Sequence, residues 1–141
     1  MPHLIIEYSS NLRPVLDVSR LVQRLHEAAI RTGIFPLGGV RTRAVAREHY
    51  RVADGHPDNA FVHAVLRVGS GRDLETRQRV GQQVFADLCG ALATISDTQP
   101  LAISFEVEEI EPMLSYRKNN IHEYLTRRSA PPSPPTPEVS S

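Results

Sequence analysis

Residues 60–108, AFVHAVLRVGSGRDLETRQRVGQQVFADLCGALATISDTQPLAISFEVE, decide the fold. The opening residues alternate: Phe61, His63, Val65 and Arg67 share one side, while Val62, Ala64, Leu66 and Val68 share the other. A period of two reads as a strand over Ala60–Val68, with one wholly apolar side that suits packing under helices. The opposite side is apolar with polar groups inserted, unlike a plainly solvated face. Gly69-Ser70-Gly71-Arg72-Asp73 then leads into a helix to about Ile95, with an expected apolar stripe of Gly81, Val84, Phe85, Leu88, Leu92 and Ile95. Leu101–Glu108 reads as the next strand, and the helix between is long enough to return the chain for a parallel pair.

The N-terminal half has the same order. Residues 2–8 read as a strand with Leu4, Ile6 and Tyr8 on one face and His3, Ile5 and Glu7 on the other. Asp17 is a good N-cap for a helix through Thr32, whose stripe is Val18, Leu21, Val22, Leu25, Ala28 and Ala29. Gly33 follows as its C′ residue. A turn-rich, apolar loop, Gly33–Gly39, precedes a second strand from Val40 to about Tyr50. Asp54-Gly55-His56-Pro57-Asp58 is a turn cluster that separates the two halves. The fold class is therefore α/β (α+β): two β-α-β units forming one four-stranded sheet with both helices on one face. Such a sheet leaves its other face needing cover, which self-association would supply.

Composition bounds the function. The chain has 141 residues, with 16 Lys+Arg against 16 Asp+Glu and a single Cys. One domain is the default at this length. A formal net charge of zero argues against general nucleic-acid binding, and one Cys excludes a disulfide framework. No apolar run approaches a membrane span, and the N-terminus has no basic region ahead of its apolar stretch, so a cytoplasmic protein is expected. Five of the 11 prolines fall in SAPPSPPTPEVSS, the last 13 residues. The folded domain is accordingly placed at residues 1–126, and 127–141 are read as a disordered, Pro-rich tail.

Three groups of residues are candidates for chemistry. Pro2 directly follows the initiator Met, and small second residues are commonly unmasked. With Met1 attached its nitrogen is a tertiary amide; with Met1 removed it is a secondary amine with a lone pair. Apolar surroundings and nearby cations would lower the pKa of that amine and make it a general base. The strand that begins at once would fix the nitrogen at a sheet end. Taken alone, Pro2 is a weak signal, since position-two prolines are common and ordinarily mark only N-terminal processing. Arg41 and Arg43 follow the Gly38-Gly39 turn, and Arg72 stands at the mouth of the second helix. Arginine suits bidentate carboxylate recognition, and the alternative is a set of surface charges. Arg77 and Arg79 read as solvated helix positions. The histidines have no metal-ligand spacing, Cys89 sits among apolar residues, and Asn119-Asn120-Ile121-His122 reads as capping or turn chemistry.

These residues also carry a resemblance. Pro2-His-Leu-Ile-Ile-Glu, Thr32-Gly33-Ile34-Phe35-Pro36-Leu37-Gly38-Gly39-Val40-Arg41, Ala53-Asp54-Gly55, Phe61-Val62-His63, Gly69-Ser70-Gly71-Arg72, Ser104-Phe105-Glu106-Val107-Glu108-Glu109 and Lys118-Asn119-Asn120-Ile121-His122 occur in order and with matching spacing. Together they resemble the 5-carboxymethyl-2-hydroxymuconate Δ-isomerase family of the tautomerase superfamily, over about residues 2–126. The resemblance implies a tautomerase-like fold assembled as a homotrimer, with the N-terminal proline as general acid/base and no cofactor or metal. It implies a small polycarboxylate substrate bound by arginines. The implied reaction converts 5-carboxymethyl-2-hydroxymuconate to 5-carboxy-2-oxohept-3-enedioate in homoprotocatechuate catabolism. Pro2 is then the expected catalytic residue, and Arg41, Arg72, Arg43 and Phe35 are expected to bind substrate. Another tautomerase-type reaction on a 2-oxo or unsaturated acid remains open, as does a non-catalytic trimeric binding module.

Overall fold

A computed structural model describes residues 1–129. The chain runs β1 (His3–Ser9), α1 (Val18–Arg31), β2 (Arg41–Arg47), β3 (Ala60–Gly69), α2 (Leu74–Ala91), α3 (Ala93–Thr98), β4 (Leu101–Ile110) and α4 (Ile121–Ser129). Three single 3₁₀ turns lie between them, at Ser10–Leu12, Leu37–Gly39 and Pro112–Leu114. The strands form one sheet in the order β2-β1-β3-β4. β1 and β2 are parallel, as are β3 and β4, and the two units meet along an antiparallel β1–β3 pair. Two β-α-β units with both helices on one face are thus the observed architecture.

Alternation builds the core. Leu4 opposes Leu66, Ile6 opposes Ala64 and Tyr8 opposes Val62 across the central pair. All six are buried, as are Leu21 and Leu25 of α1 and Val84 and Leu88 of α2. His26 of α1 shares a 2.7 Å hydrogen bond with Thr42 Oγ1 of β2, which fixes α1 over the same side of the sheet. Both helices start where the chain offers a carboxylate: Asp17 accepts from the Arg20 N–H at 3.1 Å and Asp73 from the Thr76 N–H at 2.8 Å. Each cap satisfies a donor that has no partner within the helix.

The second helix differs from the expectation in two respects. It is broken at Leu92, whose backbone (φ −101°, ψ 3°) leaves the helical region, so α2 and α3 replace one helix to Ile95. Its buried stripe is Val80, Val84, Leu88, Leu92 and Ile95. Gly81 and Phe85 belong to a neighbouring row that lies over β4. Phe85 stacks on Phe105 at 6.5 Å, and a Cβ on Gly81 would sit 3.2 Å from a Val107 methyl. Among the described residues β4 has no outer strand beside it, so this row stays partly open and Phe85 is 39% exposed.

Arg77 and Arg79 are also more than solvated positions. Arg77 pairs with Glu109 at 3.0 Å, and Arg79 donates to the Thr32 carbonyl at the end of α1 at 3.3 Å. At the C-terminal end the helix α4 continues to Ser129, three residues past the expected domain limit of 126. Its end is held locally, with the Arg127 and Arg128 guanidiniums 5.0 and 5.7 Å from the Tyr124 ring. The Pro-rich stretch from Ala130 lies outside the described residues. Leu66→Ala should lower the unfolding free energy by about 2–5 kcal/mol in a denaturant titration, since Leu66 is fully buried at the centre of the sheet.

Candidate active site

Four chain segments meet at one end of the sheet. Pro2 precedes β1, Arg41 opens β2, and β3 and β4 finish at Gly69 and Ile110. The Pro2 carbonyl accepts a 3.2 Å hydrogen bond from the Arg41 N–H, which ties the N-terminus to β2. Pro2 is buried. Its ring rests against the turn at Leu37–Gly39, where a Cβ on Gly39 would lie 3.7 Å from Pro2 Cδ.

Beside it opens a cavity of about 690 Å³, with Pro2, Phe35, Arg72, Arg117, Asn119 and His122 in its wall. Arg72 is positioned by backbone. Its guanidinium donates to the Gly69 carbonyl at 3.3 Å and the Ile34 carbonyl at 3.1 Å, and it lies 5.1 Å from the centre of the buried Phe35 ring. Carbonyls and a ring fix the fork without neutralising it, so its charge remains available to an anion in the cavity. Arg77 Nε donates to the Arg72 carbonyl at 3.2 Å and stiffens this loop from behind.

The structure therefore gathers Pro2, Phe35 and Arg72, and treats the other two expected arginines differently. Arg41 does not line the cavity; its Nη2 stands 3.7 Å from the Met1 sulfur, at the cavity's edge. Arg43 is exposed on the sheet face away from the helices, where its Nη1 lies 3.2 Å from His3 Nδ1. Two residues along a strand return a side chain to the same face but carry it about 6–7 Å farther from the strand end. That displacement removes Arg43 from the cavity. Because guanidinium only donates, His3 Nδ1 accepts, and burial followed by the charges of Arg43 and Arg41 holds the His3 pKa below its ordinary value.

Three residues of the wall were not expected. Asn119 caps α4 by accepting from the Ile121 N–H at 2.9 Å, and its amide also donates to the Gly38 carbonyl at 2.8 Å. His122 packs on Gly38 so closely that a Cβ there would meet His122 Nδ1 at 2.5 Å. This clamp brings the segment after β4 back across the sheet end and places Arg117 at the cavity. The capping function of Asn119 is visible in its spacing. The reach to Gly38, 81 positions away, is not.

The electrostatics converge on the N-terminus. Burial, then the charges of Arg117, Arg72 and Arg41 in that order, hold the Met1 α-amino group below its ordinary value. Desolvation and cations both disfavour an ammonium, so an amine at this place stays neutral to lower pH.

The model of the 5-carboxymethyl-2-hydroxymuconate isomerase family matches residues 2–125. The chain belongs to this family. A relative from Escherichia coli, 5-carboxymethyl-2-hydroxymuconate Delta-isomerase, is 40% identical over 122 residues, covering 86% of this chain and 97% of the relative. The crystal structure of a 5-carboxymethyl-2-hydroxymuconate isomerase from Deinococcus radiodurans R1 superposes with a TM-score of 0.82 at 36% identity, over 88% of this chain and 93% of that one. A fused 4-OT symmetric trimer shares the fold at 14% identity, with a TM-score of 0.60 over 83% of this chain and 93% of its own. The family resemblance and the tautomerase-like fold read from the sequence are both borne out. Among the described residues no helix is long and apolar enough to cross a membrane.

The His122–Gly38 clamp is testable. Gly38→Ala should displace the His122 ring and loosen α4, seen as faster amide exchange over residues 119–129. Adding His122→Ala should remove the clash but not restore the protection, because the packing partner is then missing.

Proposed function

We propose that the protein is a cytoplasmic isomerase that moves a proton across the dienol of 5-carboxymethyl-2-hydroxymuconate. The product is 5-carboxy-2-oxohept-3-enedioate, and the pathway is homoprotocatechuate catabolism. The observation that carries this reading is the shared cavity: Pro2 and the un-neutralised Arg72 face one space, in a chain of this isomerase family. Once Met1 is removed, the Pro2 nitrogen is a secondary amine in the field of Arg117, Arg72 and Arg41. It takes the proton from the 2-hydroxyl side and returns one at the distal carbon, so no atom is gained or lost overall. Arg72 holds a substrate carboxylate, and Arg41 stands close enough to the N-terminus to stabilise charge that develops on the dienolate oxygen. Arg117 adds a third cation for a substrate with three carboxylates. Phe35 keeps water from the amine.

The assembly belongs to the same reading. The sheet face away from the helices carries Ile5, Phe61 and Val65 only partly buried in a single copy. A homotrimer closed over that face would cover them, and light scattering should then give three times the chain mass of 15.7 kDa.

The direct test is an ultraviolet assay with 5-carboxymethyl-2-hydroxymuconate on purified protein, with intact mass reporting the state of the N-terminus. Protein lacking Met1 should turn over. A homogeneous preparation that retains Met1 should not, because its Pro2 nitrogen has no basic lone pair. Full activity with Met1 in place would remove Pro2 from the mechanism.

The pH dependence follows from the charges. The base works deprotonated, so kcat/KM rises with pH through the amine pKa. Each nearby cation lowers that pKa, so Arg72→Ala or Arg117→Ala should move the rising limb to higher pH. Loss of a charge-assisted bond to carboxylate should also reduce kcat/KM about tenfold to more than a hundredfold. Arg20→Ala, on the exposed side of α1, should change neither. An unshifted limb and an unchanged kcat/KM in both cavity variants would make these arginines surface charges.

A further inference from the structure

Arg43 was expected at the substrate and is found elsewhere, on a face whose charge is sorted by strand. Away from the helices β2 presents Arg41, Arg43 and Arg47, and β4 presents Glu106 and Glu108. These are the two outer strands of the sheet. Some of the charges are answered within the chain: Arg47 pairs with Glu7 at 2.7 Å and Arg67 with Glu108 at 3.5 Å. Arg43 and Glu106 have no ion-pair partner among the described residues. They end the same register row, Arg43–Ile5–Val65–Glu106, with only apolar side chains between them. Three strand spacings separate them by about 14 Å, well beyond ion-pair contact within one copy.

We propose that Arg43, on the β2 rim of one copy, docks on Glu106, on the β4 rim of the next, and so sets the direction of assembly. The occupant of each rim is thus a second copy of the same chain. Joining two sheets by the same rim, as a twofold edge contact requires, sets Arg43 against Arg43 or Glu106 against Glu106. Joining unlike rims pairs each charge with its opposite and leaves one free rim of each kind, so the contact repeats until a ring closes. The apolar centre of each row, Ile5 and Val65, then turns toward the interior of the ring. This gives the trimer proposed above its physical direction, and it rests on that reading. Every other class of partner would have to present acid to one rim and base to the other, which a second copy does by construction.

Charge reversal tests the pairing. Arg43→Glu, Glu106→Arg and the double variant would be compared with the wild-type chain by sedimentation equilibrium at low and at high salt. Circular dichroism would check that each variant is folded. Each single reversal should raise the concentration at which the assembly dissociates by about tenfold or more, and by less at high salt, where the charges are screened. The double variant should return to within about threefold of wild type. Arg43→Ala and Glu106→Ala, which introduce no repulsion, should weaken assembly less than the reversals and guard against a folding defect. An assembled wild type indifferent to both reversals, or a double variant no better than the singles, overturns the pairing and leaves the trimer standing. A wild-type dimer overturns the head-to-tail direction. A wild type that is monomeric at every concentration overturns the trimer itself, and the pairing with it.

Discussion

The antiparallel pairing of β1 with β3 is the contact on which the rest of the molecule depends. It joins two units that are each locally complete, a strand, a helix and a parallel strand, into one sheet with one core. Leu4, Ile6, Leu66 and Ala64 meet there with no exposure at all. Because the pair is antiparallel, the start of β1 lies beside the end of β3. Each of those strands has a parallel neighbour, so the start of β2 and the end of β4 fall at the same place. Backbone direction alone therefore brings Pro2, Arg41, Gly69 and Ile110 together.

A site at such an end has a particular electrostatic character. Arg72, Arg117 and Arg41 carry positive charge toward a half-enclosed N-terminus that has no carboxylate against it among the described ion pairs. The guanidinium of Arg72 is held instead by two carbonyls and an aromatic ring. Like charges gathered without a counterion are unfavourable in an empty protein and favourable once an anion arrives. The same charges that would bind a polycarboxylate also lower the pKa of the N-terminal amine, so both effects would follow from one arrangement. Gly38 serves it indirectly, since the absence of a side chain there lets His122 close the segment that carries Arg117.

The opposite side of the sheet has a different organisation. Its unpaired charges, Arg43 and Glu106, lie on the two outer strands with Ile5 and Val65 between them, while Glu7 and Arg67 on the inner strands are answered by Arg47 and Glu108. Alternation makes this possible, because every second residue of each strand is free of the core and can be chosen for another purpose. The helix side of the sheet stabilises the single chain. In the proposed assembly the other side serves association, with Arg43 part of it.

Much of this was legible in the sequence. The two-residue period of Ala60–Val68, the Asp17 cap with its helical stripe, and the turn at 54–58 determined the strands, the helices and their order, because these signals act between near neighbours. Pro2, Phe35 and Arg72, which line one cavity, were named as candidates from residue chemistry and from family blocks in a fixed order. What escaped were relations across long separations. Whether Val80, rather than Gly81 and Phe85, joined Val84 in the core depended on how α2 crosses the sheet. Whether Arg43 reached the cavity depended on how far β2 had run past its end. Asn119 and His122 read as capping or turn chemistry, and only the folded chain showed them gripping Gly38 from the far end of the domain. Local periodicity fixes which residues share a face, while the distance of a face from a site is set by register and packing, which exist only once the strands have paired.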